Sequence, residues 1–158
     1  MPPKKQKCLL IIAHAPSPNT RRLRDALVAG AEQLATDQLS LRCLSPFDTE
    51  VEDVLGASGV ILSTTENLAY MSGALKDFFD RCYNGCLEHT QGLPYVLQVR
   101  AGNDGRGTRE AVERIVTGLR WKRVQEALIC RGEFRDQFVQ QCEELGAGMA
   151  AGLDSGIL

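Results

Sequence analysis

Short apolar runs alternate with longer segments of helical period along almost the whole chain, and this alternation restricts the fold more than any other feature. Residues 8–13 (CLLIIA) are continuously apolar, as in a parallel strand buried on both faces. From Asn19 to about Ala35, the residues Leu23, Leu27, Ala31 and Leu34 recur at helical spacing. Residues 39–44 (LSLRCL) alternate instead, so one face is wet and the strand belongs at a sheet edge. Residues 50–55 suit a short helix, and 60–63 form another compact apolar run. The clearest helix carries Leu75, Phe78, Phe79, Cys82, Tyr83 and Cys86 on one stripe, with Lys76, Asp77, Asp80 and Arg81 on a solvated face opposite. Residues 94–99 read as a strand and 108–119 as a helix. Residues 124–130 read as a fifth, edge-like strand, and 131 to about 152 as a last helix carrying Phe134, Phe138, Cys142, Leu145 and Met149.

Five strands separated by helices predict an α/β fold: a three-layer sandwich with a five-stranded parallel sheet and helices on both faces. Strands one, three and four look interior, while two and five look like edges. The order 2-1-3-4-5 places them so; the order 3-2-1-4-5 would bury the second strand and expose the third. The whole chain, 158 residues, reads as one domain with residues 1–6 as a mobile tail. A domain of this size buries roughly 70% of the surface its unfolded chain exposes.

Composition removes several classes. With 44% hydrophobic residues and a formal charge of −2, the chain is not a disordered polyelectrolyte. Nothing approaches the run of about 18 apolar residues that marks a membrane span. The near-neutral balance lacks the electrostatic footprint of a nucleic-acid binder. The basic start MPPKKQK leads into an apolar run too short for a signal peptide, so a cytoplasmic protein is expected. The six cysteines contain no C-x-x-C pair and are expected to be reduced thiols. Cys82, Cys86 and His89 have a spacing that could hold a metal, but both cysteines share the stripe of Phe78 and Phe79. They read as core, as do Cys43 beside Leu39 and Leu41, and Cys142 beside Phe138 and Leu145; no metal site is expected. Trp121 reads as a packing residue at the far end of the sheet.

In a doubly wound sheet, ligands bind outside the carboxyl ends of the strands. The loop after the first strand is His14-Ala15-Pro16-Ser17-Pro18-Asn19-Thr20. Ser17 suits an N-cap and Pro18 the first helical position, which accounts for these residue types by itself. The same first-turn amides, the hydroxyls of Ser17 and Thr20, the Asn19 amide and His14 also suit an oxyanion. Neither G-x-x-x-x-G-K-[ST] nor G-x-G-x-x-G is present, so a phosphate monoester fits better than a triphosphate or a dinucleotide. After the third strand, residues 64–73 mix Leu68, Tyr70 and Met71 with the polar Thr65, Glu66 and Asn67, a surface for a planar ring or a simple cover for the sheet edge. After the fourth strand, Gly102-Asn103-Asp104-Gly105 is either a generic turn or a loop whose backbone approaches a ligand closely. Together the loops suit a mononucleotide with a flat ring.

These residues resemble the flavodoxin-like FMN-binding superfamily over roughly 7–152. Ser17-Pro18-Asn19-Thr20 resembles the flavodoxin phosphate loop T-x-T-G-N-T. Residues 70–81 (YMSGALKDFFDR) are similar to the segment after the third strand in NAD(P)H-dependent FMN and quinone reductases. The resemblance implies that Ser17, Asn19 and Thr20, with His14 beside them, hold the FMN phosphate. It implies that Thr65, Glu66, Asn67, Leu68, Tyr70 and Met71 border the isoalloxazine. Gly102, Asn103, Asp104 and Gly105 then wrap its pyrimidine edge with backbone amides. The chain departs from the pattern at Pro18, which removes an amide donor, at the charged Arg21 and Arg22, and at His14, where a Ser or Thr is usual. A receiver domain would need acids where His14 and Ser63 stand, and a low-molecular-weight tyrosine phosphatase would need a Cys-x5-Arg loop after the first strand.

The implied activity is an FMN-dependent oxidoreductase that takes electrons from NADH or NADPH and passes them to a quinone, a free flavin or another small acceptor. The cofactor carries the chemistry, so no catalytic acid or base is expected. A flavodoxin-type electron carrier docking to redox partners is the second expectation, disfavoured by a charge of only −2. A flavin-fold binding module without FMN is the third. The resemblance also implies a homodimer.

Overall fold

The computed structural model describes residues 6–158. The expected tail, Gln6 apart, lies outside the described residues. The chain runs β1 (Lys7–Ala13), α1 (Pro18–Leu34), β2 (Leu39–Leu44), a 3-10 turn (Pro46–Asp48), α2 (Val51–Leu55), β3 (Gly59–Asn67), β4 (Tyr70–Met71) and α3 (Gly73–Cys86). It continues through β5 (Pro94–Ala101), α4 (Arg106–Gly118), β6 (Lys122–Arg123), β7 (Leu128–Arg131) and α5 (Asp136–Ser155). β2, β1, β3 and β5 lie side by side in parallel, and β6 and β7 both pair with β5 as two pieces of the far edge strand. By position this is the order 2-1-3-4-5 expected from strand polarity.

The double-sided apolar run of β1 explains the three layers. Leu10 and Ile12 join Leu75, Phe78, Val112 and Val116 in one core under α3 and α4. Leu9 and Ile11 join Leu23, Leu27, Phe138, Cys142 and Met149 in the other, under α1 and α5. The two helices of that second layer cross at glycines: a Cβ on Gly30 would lie 1.9 Å from the Glu143 carbonyl oxygen, and one on Gly146 2.0 Å from that of Leu27. Backbone meets backbone there, and no larger residue fits.

The structure differs from the sequence reading in five places. The third strand does not end at residue 63 but runs to Asn67, because the Thr64 hydroxyl accepts the Ser72 N–H at 3.1 Å and fastens a returning strand, β4, onto it. The fifth strand is split rather than continuous over 124–130, since only two residues pair with the start of β5 and four with its end. The last helix starts at Asp136, because Gly132 turns left-handed (φ 84°) and leaves Phe134 in the preceding loop. Cys43 is exposed rather than core, since it stands near the end of the edge strand where its side faces a groove. Arg81 is not merely solvated: it reaches across to the turn at Pro46–Asp48 and donates to the carbonyls of Pro46 and Thr49 at 2.8 and 3.0 Å. Cys82, Cys86, Cys130 and Cys142 are buried, and no cluster of metal-ligating side chains occurs among the described residues. Trp121 packs against Tyr95 near the amino end of β5 and donates from Nε1 to the Thr90 hydroxyl at 2.9 Å.

Candidate functional site

Three connections meet at the carboxyl edge of the sheet: residues 14–17 after β1, the β3–β4 hairpin, and residues 102–105 after β5. At the first, Ser17 is the N-cap of α1 and Pro18 its first residue. Ser17 Oγ accepts from the Thr20 N–H at 3.2 Å, while Thr20 Oγ1 accepts from the Ser17 N–H at 2.9 Å. This reciprocal capping box also brings the two hydroxyls within 2.8 Å of each other. Pro18 has no N–H, so Asn19 carries the first-turn amide without a partner among the described residues. His14 is half-buried, its N–H donates to the Ser63 carbonyl at 2.9 Å, and burial lowers its pKa below the ordinary histidine value. The neutral imidazole is therefore favoured, a weaker anchor for a phosphate than a cation.

The second connection is a hairpin and not an open loop. Glu66 pairs with Met71 and Asn67 with Tyr70, so Leu68 and Ala69 make a two-residue turn with φ of 53° and 62°. Such turns usually carry Asn-Gly, because both positions are left-handed. Leu68 projects fully into solvent and Tyr70 is exposed, whereas Met71 is only 2% exposed and packs into the core. Thr65 Oγ1 donates to Asn67 Oδ1 at 2.9 Å along the same edge.

The hairpin is tied to the third connection at several points. Glu66 accepts from the Asn103 N–H at 2.9 Å and the Gly105 N–H at 2.7 Å. Thr108 Oγ1 donates to the Tyr70 carbonyl at 2.9 Å. A Cβ on Gly107 would stand 2.1 Å from the Ala69 carbonyl oxygen, so α4 approaches the turn as closely as a backbone can. Gly105 caps α4 at φ 69°, and Asp104 Oδ1 accepts the Arg106 N–H at 3.0 Å.

On the α1 and α5 side of this edge lies a cluster that local sequence pattern does not reveal. Arg100 donates to the Ala101 and Cys130 carbonyls at 2.9 Å and lies 5.6 Å from the Phe134 ring centre. Arg22 covers the same ring at 5.2 Å and pairs with Asp136 at 3.0 Å. Its members come from α1, β5, the loop before α5 and the start of α5, so no spacing announces it. A cavity of about 660 Å³ lies between α1 and the end of β2. His14, Ala15 and Pro16 form one wall of it, opposite Cys43 and Phe47.

No protein-family model matches the sequence, and no curated protein matches it significantly. Solved structures do. An archaeal flavodoxin superposes with a TM-score of 0.78 at 16% identity, covering 92% of this chain and 98% of its own. The fold is flavodoxin-like. Two-electron reduced Megasphaera elsdenii flavodoxin matches at 0.73 and 17% identity over 90% of this chain and 98% of its own. An oxidoreductase from Corynebacterium diphtheriae matches at 0.66 and 17% over 96% of each chain. A flavodoxin-like fold places ligands at the carboxyl edge where the strand order reverses, between β1 and β3. The expected site residues, from His14 to Gly105, lie in or beside the three connections at that edge, but Met71, expected to border a ring, is instead turned into the core because β4 folds it back onto β3. The donor set suits an FMN in kind: hydroxyls and a free amide at a helix start, and a glycine-bounded run of backbone N–H groups. Most of these donors already have partners within the chain.

Proposed function

We propose that the chain binds FMN at the carboxyl edge of its sheet and works as an NADH- or NADPH-dependent oxidoreductase for a quinone, a free flavin or another small acceptor. One observation carries this reading: the β3–β4 hairpin is fastened onto the 102–105 loop, at the same carboxyl edge of the sheet as the loop that leads into α1. The Asn19 N–H and the α1 N-terminus favour a phosphate, and the exposed Arg21 and Arg22 add positive charge nearby. Leu68 and Tyr70 offer apolar surface for a planar ring, while the buried Met71 anchors the strand that carries them. The backbone N–H groups at Asn103 and Gly105, which Glu66 holds in this structure, would meet the carbonyl-rich end of such a ring once released. Bound FMN supplies the hydride and electron transfer itself.

Purified protein titrated with FMN, followed by NADH or NADPH without oxygen, tests the proposal. Bleaching of the bound flavin by a nicotinamide, with turnover on added quinone, is the expected result. No flavin binding at micromolar FMN overturns it. Binding without bleaching by either nicotinamide would instead select an electron carrier.

A further inference from the structure

Glu66 holds the backbone donors that a flavin pyrimidine edge would use. Its two carboxylate oxygens accept separately, one from the Asn103 N–H at 2.9 Å and one from the Gly105 N–H at 2.7 Å. Both bonds are charge-assisted and therefore stronger than those between neutral groups. Gly105 has no side chain with which to cap α4, so Glu66, reaching over from β3, does part of that work. The arrangement also ties the hairpin to the loop.

Building on the FMN reading above, we infer that Glu66 is a latch competing with flavin for these two amides, so that FMN is held more weakly and leaves faster than it would without the carboxylate. To reach the amides, the pyrimidine carbonyl must displace the carboxylate, and the cost of breaking two charge-assisted bonds is subtracted from the affinity.

Two substitutions test the latch. Glu66→Gln keeps the shape but loses the charge and sets an NH2 donor against one of the two N–H groups, so only one of the bonds survives, and Glu66→Ala keeps neither. Two quantities are measured for each variant and the parent: FMN dissociation constant and rate by fluorescence titration and stopped flow, and amide hydrogen exchange at Asn103 and Gly105 by NMR without flavin. The expected result is faster exchange at both amides, with FMN binding at least about tenfold tighter and leaving more slowly. Faster amide exchange with equal or weaker FMN binding overturns the competition and leaves the flavin reading intact. Unchanged amide exchange overturns the latch itself. Failure of parent and both variants to bind FMN overturns the flavin reading and the competition together.

Discussion

Arg81 donates from Nη1 to the Thr49 carbonyl at 3.0 Å, joining the middle of α3 to the segment that leads into α2. The same guanidinium reaches the Pro46 carbonyl at 2.8 Å and pairs with Asp77 at 2.8 Å. A planar fork can meet these partners together; an ammonium cannot. Arg81→Lys is expected to destabilise the protein by about 1–3 kcal/mol, read as a lower urea midpoint with an unchanged slope. A midpoint equal to the parent's would mean that the turn is held without the fork.

The crossing of α1 and α5 has no room for a methyl group. Gly30→Ala brings a Cβ against the Glu143 backbone, so the helices must separate. Overpacking of this kind costs about 1–3 kcal/mol, and more is expected here because rigid backbone, not a side chain, has to move. Gly148→Ala, on the partner helix α5 but with open space around its Cβ, is the control and should be neutral or slightly stabilising. Similar thermal midpoints for the two variants would contradict the close crossing.

Cys43 should be the first thiol labelled in the folded protein, because Cys82, Cys86, Cys130 and Cys142 are buried and Cys8 is half-buried. The side chain is accessible, but partial desolvation of its sulfur by the groove walls raises the Cys43 pKa, with Arg24 pulling it down and Asp25 pushing it up. The thiolate is the reactive form, so labelling at neutral pH is slow and accelerates towards pH values above those needed by a free thiol. Cys43→Ser should remove the fast phase. A fast phase that survives this change would place the accessible thiol elsewhere.

His14 makes stability depend on pH in a definite direction. Burial lowers its folded pKa below the ordinary 6.5, so the unfolded chain takes up a proton first as pH falls. Stability is therefore present above about pH 6.5 and declines as pH drops towards the folded pKa. His14→Gln should flatten that part of the stability profile, measured by urea unfolding at a series of pH values. An unchanged profile would show that another group dominates.

The sheet order was legible because polarity differs between strands: the unbroken CLLIIA of β1 needs neighbours on both sides, and the alternating LSLRCL of β2 does not. The N-cap at Ser17 was legible from local chemistry alone. The β3–β4 hairpin was not, because Leu-Ala is a poor signature for a turn in which both central residues are left-handed. Tertiary ties from Glu66 and Thr108 hold what propensity would not. Cys43 misled because alternation says which residues share a face of an edge strand, not how far the covering helix extends over them. For Arg100 and Phe134 no local signal exists, since their contact depends on how β5 and the approach to α5 come together.

The divided far strand has a consequence for how copies of this chain meet. An edge strand with a long row of unpaired amides recruits another edge, and uncontrolled sheet extension follows. Here one margin is interrupted between Lys122–Arg123 and Leu128–Arg131, and the other carries Arg42, paired with Asp53, in its six-residue strand. Neither margin is a good template for a further neighbour, and the sheet is protected from growing by its own ends.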